Sequence, residues 1–293
     1  MTSRVLLIGA SSMLGNQFRN VSSHKNELIC QFNRPNPAGL DFSITDPDEC
    51  FKSLSKIKPD VILNFAAATD VDWCERHEDE AFIANATIPL NIQKWIDDSD
   101  AQTYVVNIST DQVYNGQDSK ASREDETAPV NAYGRSKLVG EQSLNIKNSC
   151  ALRTNFFGKS LVQKNSITDW IIAKTKDGSE ITGFSDVYFS PISIGTLVLM
   201  IDKCIDERPF GALNLGSNRG ISKDQFIREF LTRSNLDTSA LTSSSIDSCS
   251  SLTRRPKNMV MNSRKFYSSL CIDPIDLDRE IQYAVEEYQH EAV

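Results

Sequence analysis

The chain has 293 residues, 40% hydrophobic and 24% charged, with no run approaching the roughly 20 apolar residues that cross a bilayer. Its net charge of −8, with Lys and Arg dispersed among acids, argues against a nucleic-acid partner, because phosphate backbones need gathered positive charge. Seven cysteines, odd in number and without a C-x-x-C pair, argue against a disulfide frame or a zinc site and for a reducing compartment.

The first ten residues, MTSRVLLIGA, carry an apolar run too short for a signal-peptide core, so a cytoplasmic protein without a membrane partner is expected. The length suits one large domain, or a large domain with a smaller one. Short, wholly apolar runs at 4–9, 27–32, 60–67, 103–109 and 150–154 read as strands covered on both faces. Amphipathic stretches at 13–22, 47–58, 78–98 and 131–147 separate them as helices. This alternation predicts an α/β fold with a doubly wound parallel sheet. Beyond residue 155 the rhythm loosens, with helices expected at 165–176, 193–206 and 222–233, the last capped by Ser222. A strand at 212–216 returns to the main sheet. The Ser- and Thr-rich stretch 234–256 reads as a surface loop containing a short strand. The expected division is a Rossmann domain over 1–155, joined by 193–216, and a smaller substrate-binding domain in the rest of 156–293.

The stretch LLIGASSMLGNQF places Gly9, Ser12 and Gly15 between the first strand and the first helix. Such a turn lets backbone N–H groups meet a pyrophosphate at the helix N-terminus, although Ser12 stands where close approach usually favours glycine. Alone, the spacing fits an ordinary strand-to-helix turn equally well. The second strand lacks the terminal acid that binds a ribose 2′-OH and offers Gln31, Asn33 and Arg34 instead. Arg34 either pairs with a 2′-phosphate, which favours NADP(H) over NAD(H), or is a solvated surface residue. Asp41 and Phe42 follow, placed to flank an adenine, with Asp41 read equally well as a turn residue.

The fourth long strand ends in Ser109, Thr110, Asp111 and Gln112, where open α/β sheets bind ligands. Downstream, the N-cap Asn131 starts a helix that sets Tyr133 and Lys137 four residues apart on one face. An ammonium near a phenol is expected to lower the phenol's pKa, fitting Tyr133 for proton transfer. The Thr110 hydroxyl is placed to hydrogen-bond a substrate oxygen. The three histidines form no ligand spacing, so no metal is expected.

The segments GASSMLG, LDFS, PDVILNFAAATDVDWCE, STDQVY, NAYGRSKLVGE, LRTNFFG, DVYFSPIS and RRPKNMVMNSRKF occur in the order of the extended short-chain dehydrogenase/reductase superfamily. The sequence resembles that superfamily over nearly its whole length, and within it looks most like the dTDP-4-dehydrorhamnose reductases. The resemblance implies Thr110, Tyr133 and Lys137 as the catalytic set, with Lys137 also holding the nicotinamide ribose. It implies Gly9, Ser12, Met13, Leu14, Gly15, Ala66, Ala67 and Ala68 around the cofactor. Asp111, Gln112, Asn155, Phe156 and Arg255 fall near the sugar or nucleotide, with ordinary salt bridging as the lesser alternative for Asp111 and Arg255. Dehydratases of the superfamily carry Thr-Asp-Glu at this strand end, and Gln112 cannot ionise to serve as their base. The expected function is thus NADPH-dependent reduction of a nucleotide-linked 4-keto-6-deoxysugar. An epimerase and a non-catalytic subunit that retains the cofactor site are the alternatives. Phe156 replaces a tryptophan of the reductases, and QVYNG at 112–116 looks more like the wider superfamily, which leaves the sugar open. The oligomeric state is open too, a homodimer included.

Overall fold

The computed structural model describes residues 3–22, 27–32, 36–37, 39–117, 120–162 and 166–289. From the N-terminus, β1 (Arg4–Ile8), α1 (Met13–Val21), β2 (Glu27–Phe32), β3 (Leu40–Asp41), α2 (Pro47–Ile57) and β4 (Val61–Asn64) lead to α3 (Val71–Arg76) and α4 (Glu78–Phe82). A π-turn at Ile83–Thr87, α5 (Ile88–Ser99), β5 (Tyr104–Thr110), α6 (Ala132–Gln142) and β6 (Ser149–Thr154) follow. Next come β7 (Phe156–Phe157), α7 (Ile167–Lys176), β8 (Ile181–Phe184), β9 (Tyr188–Phe189), β10 (Ile192–Ser193), α8 (Ile194–Glu207) and β11 (Gly211–Leu215). The chain continues through β12 (Ile221–Ser222), α9 (Lys223–Arg233), β13 (Leu241–Ser244), β14 (Asn258–Met259), α10 (Arg264–Ser269) and α11 (Leu277–Gln289).

The main sheet runs β3-β2-β1-β4-β5-β6-β11, all parallel. Its order reverses between β1 and β4, which opens the crevice where doubly wound sheets bind ligands. The absence of polar alternation in the strands has a plain cause. Val5 and Leu7 pack with Phe18, Leu197 and Ile201 on one face, while Leu6 and Ile8 pack with Leu54, Ile92 and Ile96 on the other. The segment 212–216 joins this sheet as expected, with Ala212 opposite Ala151. A separate apolar cluster gathers Phe157, Ile171, Phe189, Phe226, Phe230 and Ile281, and small sheets β12-β9-β14 and β13-β8 lie in the same later part of the chain.

Three expected helices differ from what forms. The stretch 78–98 is interrupted by the π-turn, because Pro89 has no N–H to continue the regular ladder. The helix starting at Asn131 ends at Gln142 rather than 147. Ser222 occupies the N-cap of α9, but its hydroxyl donates to Asp224 Oδ1 and caps no backbone amide. No described helix is long and apolar enough to cross a membrane.

Candidate active site

The carboxyl ends of β1, β4, β5 and β6 surround a cavity of about 540 Å³. Gly9 turns with φ of +80°, and a β-carbon there would lie 2.7 Å from the Ala66 amide nitrogen. Gly15 approaches Gly9 O too closely to carry any side chain. Ser12, between them, is the N-cap of α1, its Oγ accepting the Gly15 N–H at 3.0 Å. The serine that departs from the glycine spacing is folded back onto its own helix, so its side chain is accommodated there. Met13 and Leu14 stand in the first turn, at the positive end of the helix dipole. Gly9, Ser12, Met13, Leu14, Ala66 and Ala67 line this cavity. A neighbouring cavity of about 480 Å³ shares Ala66 and Ala67 and adds Ala68, Asp41 and Phe42. Arg34 lies outside the described residues. Gln31, fully buried, points inward, donating to Phe42 O at 2.8 Å.

On the other side, Asn131 caps α6 through the Gly134 amide at 2.8 Å, which sets Tyr133 and Lys137 into the first cavity beside Thr110. The Lys137 ammonium donates to Ile108 O at 2.6 Å. Burial draws Lys137 down to about 8, with Glu141 opposing. Tyr133 does not follow the expected downward shift. Burial pushes its phenol above the ordinary range, the Thr110 hydroxyl opposes, and Asp111 and Cys74 add to the rise. Desolvation outweighs any help from the lysine, and the phenol keeps its proton at neutral pH. A proton donor is what this arrangement provides.

Asp111, 1% exposed, is raised to about 6 by burial, against hydrogen bonds from Asn155 and Thr110 and the charge of Lys223. Asn155 Nδ2 donates to its Oδ2 at 2.7 Å, and Thr110 Oγ1 to its Oδ1 at 3.2 Å. Gln112 lines the same cavity, with its Oε1 engaged by Asn131 Nδ2 at 2.9 Å. Phe156 lines it too. Arg255 does not. It lines a third cavity of about 870 Å³, shared with Tyr188, Arg254 and Lys257, and pairs with Asp72 at 2.8 Å.

Two supports of the site escaped the sequence reading. Asn85, in the π-turn, accepts from Ala68 N at 2.9 Å and donates to Ala68 O and to Ser136 Oγ. It ties the strand end that lines the cofactor side to the helix carrying Tyr133. Gly140 lets that helix approach, since a β-carbon there would collide with Asn85 O. Beneath the site, Arg153 donates to both carboxylate oxygens of Glu141 and to Tyr114 Oη, while Ser109 Oγ donates to Glu141 Oε1. Pro89 in a helical run was the available signal for Asn85. For Glu141 there was none beyond its place four residues after Lys137.

Residues 3–290 match the RmlD substrate binding domain family. The chain belongs to that family. Relatives of this RmlD-family chain include the dTDP-4-dehydrorhamnose reductase of Shigella flexneri, 31% identical over 194 residues. That alignment covers 64% of this chain and spans 62% of the length of the curated relative. The spore coat polysaccharide biosynthesis protein SpsK of Bacillus subtilis is 29% identical over 270 residues, 89% of each chain. The solved dTDP-4-dehydrorhamnose reductase of Clostridium acetobutylicum has a TM-score of 0.86 at 26% identity, over 97% of this chain and 99% of that one.

Proposed function

We propose that this protein is an NADPH-dependent reductase of the 4-keto group of a nucleotide-linked 6-deoxysugar, of the dTDP-4-dehydrorhamnose kind. The observation that carries the reading is the gathering of Thr110, Tyr133 and Lys137 in one cavity with the Gly9–Gly15 turn, at a strand end where the un-ionisable Gln112 follows Asp111. The names of the Shigella and Clostridium relatives support it.

The residues fit a nicotinamide dinucleotide. Gly9 and Gly15 leave a turn without side chains, Met13 and Leu14 present a helix N-terminus, and Asp41, Phe42 and Ala68 line the adjoining cavity. When bound, the nicotinamide supplies the hydride. Tyr133, protonated by virtue of burial, gives its proton to the carbonyl oxygen, and the Thr110 hydroxyl orients that oxygen. Lys137, fixed on Ile108 O, offers its remaining donors to the ribose. Asp111, held by Asn155, and Phe156 face the sugar, and Arg255 serves the nucleotide from the larger cavity. The neutral Gln31 and Phe32 at the end of β2, with Arg34 beyond them, favour NADPH over NADH. In this division of labour 1–155 and 193–216 hold the cofactor, and the rest of 156–293 serves the substrate.

The test is NADPH oxidation against a panel of dTDP-, GDP- and UDP-linked 4-keto-6-deoxysugars, with the reduced sugar identified by mass spectrometry. Turnover with one of them is expected. Absence of oxidation with all of them, or formation of a 4-keto-6-deoxy product from an unmodified hexose nucleotide, overturns the reading.

A further inference from the structure

Tyr133, Lys137 and Glu141 follow one another at intervals of a single helical turn, so α6 presents all three on one face. The chemistry above uses the first two. Glu141 is 8% exposed, and its carboxylate meets β5 and β6 at once. From β5, Ser109 Oγ donates to its Oε1, one residue after Ile108, whose carbonyl receives the Lys137 ammonium, and one before Thr110. From β6, Arg153 lies opposite Ser109 in the register and donates from Nε to Oε1 at 3.1 Å and from Nη2 to Oε2 at 2.6 Å. Its Nη1 goes on to Tyr114 Oη at 2.9 Å and to the Glu124 carbonyl at 2.8 Å.

An ion pair of this kind is costly to bury and seldom outdoes well-packed apolar side chains of similar volume. What apolar side chains do not supply is a negative charge one turn from Lys137. That ammonium is desolvated and donates to a neutral acceptor, Ile108 O. Of the titratable groups packed about it, Tyr133 and Asp111 share its cavity, Arg153 is bound to Glu141, Asp72 on α3 is spent on Arg255, and the Cys74 thiol donates to Ala68 O. The other charged side chains of α3, α4 and α5 are exposed. Glu141 is the group that opposes the burial of Lys137.

We propose that Glu141 is the countercharge of Lys137, a positioning residue that keeps the ammonium available to the nicotinamide ribose at neutral pH. The proposal rests on the reading of Lys137 as the residue that holds this ribose in a reductase. Arg153 in turn keeps Glu141 ionised and aimed, through two bonds to its carboxylate. Burial already draws Lys137 down to about 8, so without the Glu141 charge the ammonium gives up its proton at still lower pH.

Glu141→Gln keeps the shape of the side chain and an oxygen for Ser109, and removes the charge. With isotope-labelled lysine, and the Lys137 resonance assigned by its loss in Lys137→Met, NMR reads the titration without substrate or cofactor. The midpoint should fall from near pH 8 by about one unit, the scale set by an opposite charge a few ångströms away, and the alkaline limb of kcat/KM should fall with it. Glu141→Gln leaves the Arg153 cation buried alone, so a second variant combines Glu141→Leu with Arg153→Met, an apolar pair that should show the same fall. Ser109→Ala takes one hydrogen bond from the same carboxylate and none of its charge, and should leave the midpoint near pH 8. Urea unfolding, with NADPH binding below the limb, checks the fold of each variant. An unmoved midpoint in a folded Glu141 variant overturns the proposal, as does an equal fall in Ser109→Ala, which would trace the effect to packing. Loss of the fold in both Glu141 variants overturns it too, because the pair would then serve stability alone. The two readings fail separately. A midpoint that falls without any keto-sugar reduction sinks only the reductase, and reduction with an unmoved midpoint sinks only this proposal.

Discussion

Replacing Lys137 with Met removes a buried cation, and the fold sets what that does to stability. Burial holds the ammonium at about 8, against an ordinary value of 10.5, so the folded protein binds this proton less tightly than the unfolded chain does. Below pH 8 both states are charged, and the cost of burying the charge is present in full. Between pH 8 and 10.5 the unfolded chain holds more protons, so the contribution of this residue to stability rises with pH across that window. Above it both states are neutral and the cost is gone. The whole change is about 3 kcal/mol. Lys137→Met carries no such proton, and loss of the bond to Ile108 O displaces its curve without tilting it. Stability of the wild type minus that of the variant should therefore climb by about 3 kcal/mol across the window, read by urea unfolding at several pH values. Taking the difference cancels the groups the two proteins share, Lys223 among them. The same titration should set the alkaline limb of kcat/KM for the wild type near pH 8. A flat difference would refute the reasoning, because it would mean that Lys137 is not desolvated.

Tyr133→Phe should lower turnover by roughly 10²–10⁴-fold while NADPH binding holds, and near-normal turnover would remove Tyr133 from its role. Arg34→Ala should weaken NADPH by about 1–3 kcal/mol and spare NADH, as fluorescence titration can show, whereas equal losses would exclude a contact to the 2′-phosphate. Gly140→Ala places a methyl group against Asn85 O and should cost about 1–3 kcal/mol in thermal melting, although alanine is ordinarily the better helix former. Gln112→Glu sets a carboxyl beside Asp111, already at about 6, and should raise one of the pair and slow reduction without creating water loss from a hexose nucleotide.

The parts of the fold that were legible are those written into local pattern. Strands such as Val61–Asn64 read clearly because both faces are covered, and the Tyr133–Lys137 pair followed from helical spacing and the Asn131 cap. The two-residue strands β7, β9 and β12 have no period to read. Asn85 was invisible because its partners, Ala68 and Ser136, meet it only once α6 packs on the π-turn. The phenol of Tyr133 went the opposite way from expectation because spacing shows a neighbour but not the solvent that folding removes. Arg255 was placed near the ligand by resemblance alone, and only the three-dimensional arrangement separates its cavity from that of Tyr133.

The position of β11 has a consequence for synthesis on the ribosome. Translation delivers β6, every residue of which is buried in the finished protein, well before Gly211–Leu215 exists to cover its outer edge. During that interval the nascent chain holds a strand with one edge uncovered, a free row of backbone donors and acceptors open to pairing with another copy on the same message. Slow translation between Thr154 and Leu215 lengthens the exposure, so synonymous codon choice in that stretch should govern the soluble yield of this protein more strongly than codon choice after Leu215.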